Sequence, residues 1–285
     1  MSIASPPVSD TVGESEVREI AGRSLRFLLL NAIVFAGIFG CLLVFFSFVN
    51  LDGAFMQKNL EFIALGVPMT LFVSVASIVL AVVLALVGAL GRLSHNPLFY
   101  APATFYVSLI RGTPLIIQVF FWYLALPQVK IPFMNINIPE IVEIGPGGII
   151  FQAVPAGILA LAVCYGAYMA ETFRAGIQSI SKGQREAALA LGMTRMQTMR
   201  EIVLPQAFRI IIPPIGNEFI AMTKDSSLVS FMGVWELRFR ADKIGRQSYR
   251  NFETLIIAAV LYWVMQIILQ YLQGKLEARL ARGDR

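Results

Sequence analysis

Long apolar runs separated by short polar stretches dominate the chain. A helix needs about 20 residues to cross the hydrocarbon core of a bilayer. Six runs meet that length: 27–49, 62–90, 99–127, 149–175, 206–234 and 253–274. The pattern predicts an all-α, polytopic transmembrane bundle. The first run, Phe27 to Val49, is too long for the h-region of a signal peptide, and no small-residue cleavage site follows it. It reads as an anchor or additional helix, preceded over 1–26 by a Pro- and Ser-containing mobile tail. In span two, Thr70, Ser74, Ser77, Ala81, Ala85 and Gly88 recur at steps of three and four. Close helix packing is the default for such a small-residue stripe, and a substrate path is the other reading.

One polar segment, 176–205, interrupts the apolar series. Ser181 with Gln184 three positions on fits a capping box, so a helix starts near Lys182. It carries Ala187, Ala188 and Ala190, strong helix formers with little bulk, and Gly192 is placed to end it in a left-handed C-cap. Thr194 with Gln197 opens a second helix, and Pro205 is expected to close it because proline breaks the hydrogen-bond ladder. Two short helices at an angle are predicted, the first smooth enough to seat in a groove of another protein. An ordinary solvated loop is the alternative.

Composition agrees with the spans. Charged residues are 14% of 285, against about a quarter in a soluble domain, so lipid is the main solvent. Basic residues at Arg18, Arg23 and Arg26, at Arg92, over 182–200 and over 275–285 fall on one side of a six-span topology, which is then the cytoplasm. Both termini lie there. The segment 235–252 conflicts with this rule: it holds Arg238, Arg240, Lys243, Arg246 and Arg250, yet falls outside. Lying flat at the interface with snorkelling arginines is one account of it. The basic residues do not interleave with aromatics on one face, so nucleic acid is not indicated. Cys41 and Cys164 sit in apolar runs and read as buried thiols, and the single histidine, His95, reads as a solvated loop residue. No phosphate-binding G-x-x-x-x-G-K-[ST] loop, metal constellation or catalytic triad spacing is present; Gly274-Lys275 is the nearest fragment of the first.

Polar groups at membrane depth are expensive and mark functional candidates. Arg111 interrupts span three, beside Gly112, Thr113 and Pro114, which predict a broken helix. Arg111 either braces the loop by snorkelling or contacts a gate. Span five carries Pro213-Pro214, then Asn217, Glu218, Lys224, Asp225 and Ser226. Glu218, Met222 and Asp225 share a helix face, while Lys224 and Asp225 are too close in sequence to pair and need partners elsewhere. Bracing and pathway lining both remain open. Glu171, near the end of span four, is spaced for an i,i+3 pair with Arg174.

The spacing Glu186-Ala187-Ala188, Gly192, Ile202, Leu204-Pro205 resembles the EAA loop of ABC importer permeases. The run Gly166 to Ile177, the pair Pro213-Pro214 with Asn217, Lys224-Asp225-Ser226-Ser227-Leu228 and Arg111-Gly112-Thr113-Pro114-Leu115 are similar to motifs of the polar amino acid branch. The resemblance covers 62–275 and implies a five-helix type I importer core. The span 27–49 is an addition to it and 276–285 a basic tail. It also implies a bacterial inner-membrane permease working by alternating access, with 176–205 as the coupling segment. Glu186 would be its polar contact, Ala187 and Ala188 the close-packing surface, Gly192 the turn. The partners implied are two cytoplasmic ATPase subunits that bind ATP and Mg, a second permease and an extracytoplasmic solute-binding protein. The binding protein would be received by outer surfaces including 128–148. The chain itself is expected to be no enzyme and to hold no cofactor. An ATP-independent secondary transporter or channel is the alternative.

Overall fold

The computed structural model describes residues 14–47, 51–125 and 153–281, and every regular element among them is helical. The expected binding-protein surface 128–148 lies outside the described residues. The chain divides into two units, Met1–Gly53 and Ala54–Arg285.

The first unit is the helix α1 (Glu14–Ser47). It begins inside the stretch expected as a tail, because Glu14 to Arg26 holds no proline and is rich in helix formers. Phe27, Leu30, Phe35 and Phe39 are each more than half exposed, so apolar side chains surround the helix on every side. Such a surface is solvated by lipid or covered by another helix. Cys41 is exposed on it, contrary to the expected burial, whereas Cys164 is buried as a small hydrophobe.

The second unit is built on α3 (Val67–Leu93) packed along α6 (Ala153–Ser179). The stripe expected for close packing serves that contact: Thr70, Ser74, Ser77, Ala81 and Ala85 are fully buried. Ala153, Ala156, Gly157 and Ala160 are among the small buried residues that α6 contributes to the core. Side chains are short enough for the backbones to meet closely, since a Cβ on Gly166 would lie 2.8 Å from that of Leu84. Among the described residues three helical stretches are long and apolar enough to cross a membrane: Gly53–Leu93, which joins α2 (Gly53–Ala64) to α3; α6; and Asn251–Arg279 within α11 (Asn251–Ala281). Expected span three is not one helix. It breaks into α4 (Pro97–Arg111) and α5 (Leu115–Ala125), bent by 110° where Gly112 and Pro114 predict it. The region expected as span five is α9 (Leu204–Asp225) followed by a 3-10 segment, Ser226–Met232. Its prolines and charges keep it from being one uniformly apolar helix.

At the end of α3 away from the 90s loop, Glu236 is fully buried and caps α10 (Leu237–Ser248) by accepting the Phe239 N–H at 2.8 Å. Tyr262 of α11 donates its hydroxyl to the same carboxylate, and Thr70 of α3 donates at 3.4 Å. One carboxyl therefore joins three helices. The basic segment that conflicted with the topology rule has a physical account here. Arg240 lies against the rings of Phe62 and Trp235, Arg238 is 4.1 Å from the Phe231 ring centre, and Lys243 is 4.1 Å from that of Trp235. Arg238 also donates to Ser230 Oγ at 2.6 Å, and Arg246 pairs with Asp242. These cations anchor α10 to aromatic faces.

Two outcomes test this end of the bundle. An added Cβ on Gly66 would lie 2.5 Å from the Leu237 Cα, so Gly66→Ala must push α10 off the start of α3. Overpacking of this kind costs about 1–3 kcal/mol, and the melting temperature in detergent should fall accordingly; an unchanged melt would disprove the contact. Burial pushes the Glu236 carboxyl up to about 7 from 4.5, against the opposing pull of its hydrogen bonds. Between those values the folded state holds more protons than the unfolded one, so stability falls as pH rises through that window and is level above it. Glu236→Gln should abolish that slope in melting temperature, and a variant retaining it would refute the assignment.

Candidate coupling loop and translocation pathway

The polar segment is built as a capped knob. In α7 (Lys182–Ala190) the Ser181 hydroxyl accepts the Gln184 N–H at 3.4 Å. Gly192 comes next with φ +82°, the left-handed conformation that glycine adopts without penalty. The Met193 N–H reaches back to Ala188 O at 3.1 Å and the Gly192 N–H to Leu189 O at 3.0 Å, the paired bonds of a Schellman ending. Thr194 and Gln197 then form a complete reciprocal capping box over α8 (Arg195–Gln197).

Beyond α8 the chain departs from expectation. Pro205 does not close the second helix, because a π turn over Thr198–Val203 shifts the ladder so that the Leu204 N–H bonds Met199 O. Pro205 then falls where the π turn passes into the first turn of α9, and the helix runs on past it. The backbone is helical without interruption from Arg195 to Asp225. The knob thus runs directly into the helix carrying Asn217, Glu218, Lys224 and Asp225. It is tied to α6 as well, since Arg185 donates to Ile177 O at 2.6 Å.

The surface of the knob corrects one residue. Glu186 and Ala187 are exposed, but Ala188 is 4% exposed and packs inward, so it offers nothing to a partner. Ile202 and Leu204 are half-buried in the π turn and its junction with α9. The most exposed large apolar side chains are instead Leu191 at 84% and Met196 at 75%. Sequence reading missed both. Their signal was large apolar side chains at the turn of an otherwise polar segment.

The membrane-depth residues form two groups. Glu171 accepts from both Arg92 at the end of α3 and Arg174 one turn on, so the i,i+3 pair is real and a long-range partner is added to it. Arg111 and Gly112 share with Arg92 and Glu171 a cavity of about 450 Å³, where Arg111 lies 5.3 Å from the Tyr168 ring centre. Thr113 donates to Leu109 O, and Gln118 Nε2 donates to Ile110 O at 2.8 Å and to Thr113 O at 3.1 Å. Gln118 was not singled out from sequence. With Pro114 at the break, its amide holds the bent backbone satisfied.

Deeper in the bundle, Asp225 accepts the Tyr165 hydroxyl at 2.8 Å, which supplies the partner on another helix that its sequence position required. Glu218, half-buried, is two turns away on the same helix face. Asn217 and Lys224 are exposed, while Ser226 is fully buried and donates to Thr223 O. Gln266 of α11 donates to Thr223 Oγ1 at 2.6 Å, which closes this polar layer from a third helix. No cluster of three or more metal-ligating side chains occurs among the described residues.

Residues 77–282 match the family described as binding-protein-dependent transport system inner membrane component. The arginine transport system permease protein ArtQ of Bacillus subtilis (strain 168) is 35% identical over 83% of this chain and 100% of its own length. The L-cystine transport system permease protein TcyB of the same organism is 36% identical over 76% of this chain and 86% of its own. A crystal structure of an amino acid ABC transporter with histidines superposes with a TM-score of 0.69 at 37% identity, covering 81% of this chain and 100% of that one. The inward-facing MetNI methionine ABC transporter, at 20% identity and a TM-score of 0.60, shares the fold. With its capped polar knob continuous with a charged membrane helix, the chain belongs to the family of binding-protein-dependent transport system inner membrane components.

Proposed function

We propose that the chain is the permease subunit of an ATP-driven importer of a polar amino acid, with the knob 181–205 as the point where an ATPase subunit engages it. The observation that carries this is the unbroken helical path from a rigid, capped knob with an apolar tip to the helix bearing Glu218 and Asp225. A push on the tip moves α9 without an intervening hinge to absorb it. Glu186 supplies the polar contact, Ala187, Leu191 and Met196 the apolar one, and Gly192 the turn. Arg111 with Gly112 to Pro114, Glu171, and the layer of Asn217, Glu218, Lys224, Asp225 and Ser226 line or brace the pathway. ATP and Mg belong to the ATPase pair. A second permease and a solute-binding protein complete the assembly, with both termini of this chain on the ATPase side. The arginine and cystine names of the relatives support an amino acid as cargo.

Reconstitution with the ATPase subunits in proteoliposomes tests the coupling. Gly192→Val should uncouple uptake from ATP hydrolysis because a β-branched residue at positive φ is strained by about 1–2 kcal/mol, even though the space around it is empty. Gly192→Asn, which tolerates that conformation, should retain more. Glu186→Ala should also lose coupling while the protein still inserts. Full uptake by both Gly192→Val and Glu186→Ala at normal expression, or uptake that survives ATP depletion, would overturn the reading.

Leu191→Asp places a charge on the docking tip without touching the core. It should weaken capture of the ATPase subunit at least about tenfold in a pull-down, since a charge in a desolvated contact costs several kcal/mol. Undiminished capture would remove Leu191 from the interface.

A further inference from the structure

A second cavity, of about 660 Å³, lies between the 90s loop and the knob. Arg92, Arg185 and Arg195 line it together with Ser94 and His95, and no carboxylate does. Glu171 neutralises Arg92 from the far side, but Arg185 and Arg195 have no carboxylate partner among the described residues. The Nε of both Arg92 and Arg185 is buried without a hydrogen-bond acceptor, an expense the fold leaves unmet. Tyr100, Gln178 and Thr198 add neutral polar groups to the wall, and its remaining residues, Leu93 and Met199 among them, are apolar.

Ser94 also lines a neighbouring groove of about 650 Å³ between α3 and α4. That groove is walled by Leu84, Val87, Leu90, Leu98, Phe99 and Pro102, and the outermost of these are strongly exposed, Leu98 at 79% and Val87 at 65%. A basic cavity thus meets an apolar groove at one residue, at the end of a membrane-spanning helix. Guanidinium groups match phosphate by bidentate hydrogen bonding, and an apolar groove beside them accepts hydrocarbon.

We propose that this pair of cavities binds one anionic phospholipid, with its phosphate among Arg92, Arg185 and Arg195 and an acyl chain along the α3–α4 groove. The free negative charge matters because Arg185 and Arg195 are otherwise unneutralised. A zwitterionic lipid brings its own cation and does not relieve them. The bound headgroup bridges the 90s loop to α7 and α8, so it fastens the knob to the bilayer surface.

Native mass spectrometry of the detergent-purified full chain tests this, with phosphatidylglycerol, phosphatidylcholine and inorganic phosphate titrated separately. Phosphatidylglycerol should be retained in a one-to-one adduct and phosphatidylcholine should not. Arg195→Gln, at an exposed position, should weaken the adduct about tenfold, as should Arg185→Gln. Arg195→Lys should recover part of the affinity, and Arg246→Gln on α10 should change nothing. Equal retention of both lipids, or adducts indifferent to Arg195→Gln and Arg185→Gln, would overturn the proposal. Arginine-dependent binding of inorganic phosphate without phosphatidylglycerol would overturn it too, as the mark of a free-anion site.

Discussion

The close approach of α3 to α6 is the constraint on which the remaining structure depends. Lipid tails are as apolar as leucine, so two helices in a bilayer gain little from hiding apolar surface and must gain from van der Waals fit. Small residues on both faces permit it, from Thr70 to Ala89 on α3 and from Ala153 to Ala170 on α6. Each end of that packed pair then carries one polar fastening. At one end Arg92 reaches Glu171, and at the other Thr70 meets Glu236. The helix α9 packs into the same apolar core through Ala207, Ile211 and Met222, and α10 and α11 share a smaller one through Leu237, Ala241, Ile257 and Ala258.

A consequence concerns how motion passes through the protein. The knob is rigid in itself, through its Schellman ending and capping box, and it is joined to the bundle by two routes. One is covalent, through the π turn into α9; the other is the hydrogen bond from Arg185 to the last turn of α6. Since α6 is held against α3 by close packing and α9 continues the backbone of the knob, displacement of the knob is resisted on the first helix and carried by the second. Tyr165 and Asp225 span that boundary, one from each helix. A polar contact between a fixed helix and a moving one is well placed to open and close.

Much of this was legible in the residues, and the misses have definite causes. The small-residue stripe, the broken span at Gly112 and Pro114, the left-handed Gly192 and the Thr194 box are local, so short-range rules reach them. Pro205 was misread because the rule that proline ends a helix assumes an α ladder. A π turn upstream changes which N–H is needed, and nothing in six residues announces it. The resemblance placed Ala188 on the docking face together with Ala187, yet successive helical residues point about 100° apart, and Ala188 turns inward. Long-range partners such as Arg92 for Glu171 and Gln266 for Thr223 lie outside any local pattern.

The basic segment between the last two membrane helices shows why counting cations misleads about topology. The positive-inside tendency counts lysine and arginine as charges that resist crossing. Arg238, Arg240 and Lys243 instead lie on aromatic rings of Phe231, Phe62 and Trp235, with Arg240 also donating to the Phe62 carbonyl at 3.2 Å and Arg238 to Ser230. Their cost in that position is offset within the fold, by ring quadrupoles and backbone oxygens, and they hold α10 down over the buried Glu236. The arginines around the knob differ in kind, because Arg185 and Arg195 meet no ring and no carboxylate among the described residues. Cations gathered at the two ends of one helix bundle therefore carry different meanings: at one end they are neutralised by the protein, at the other they are left for something outside it.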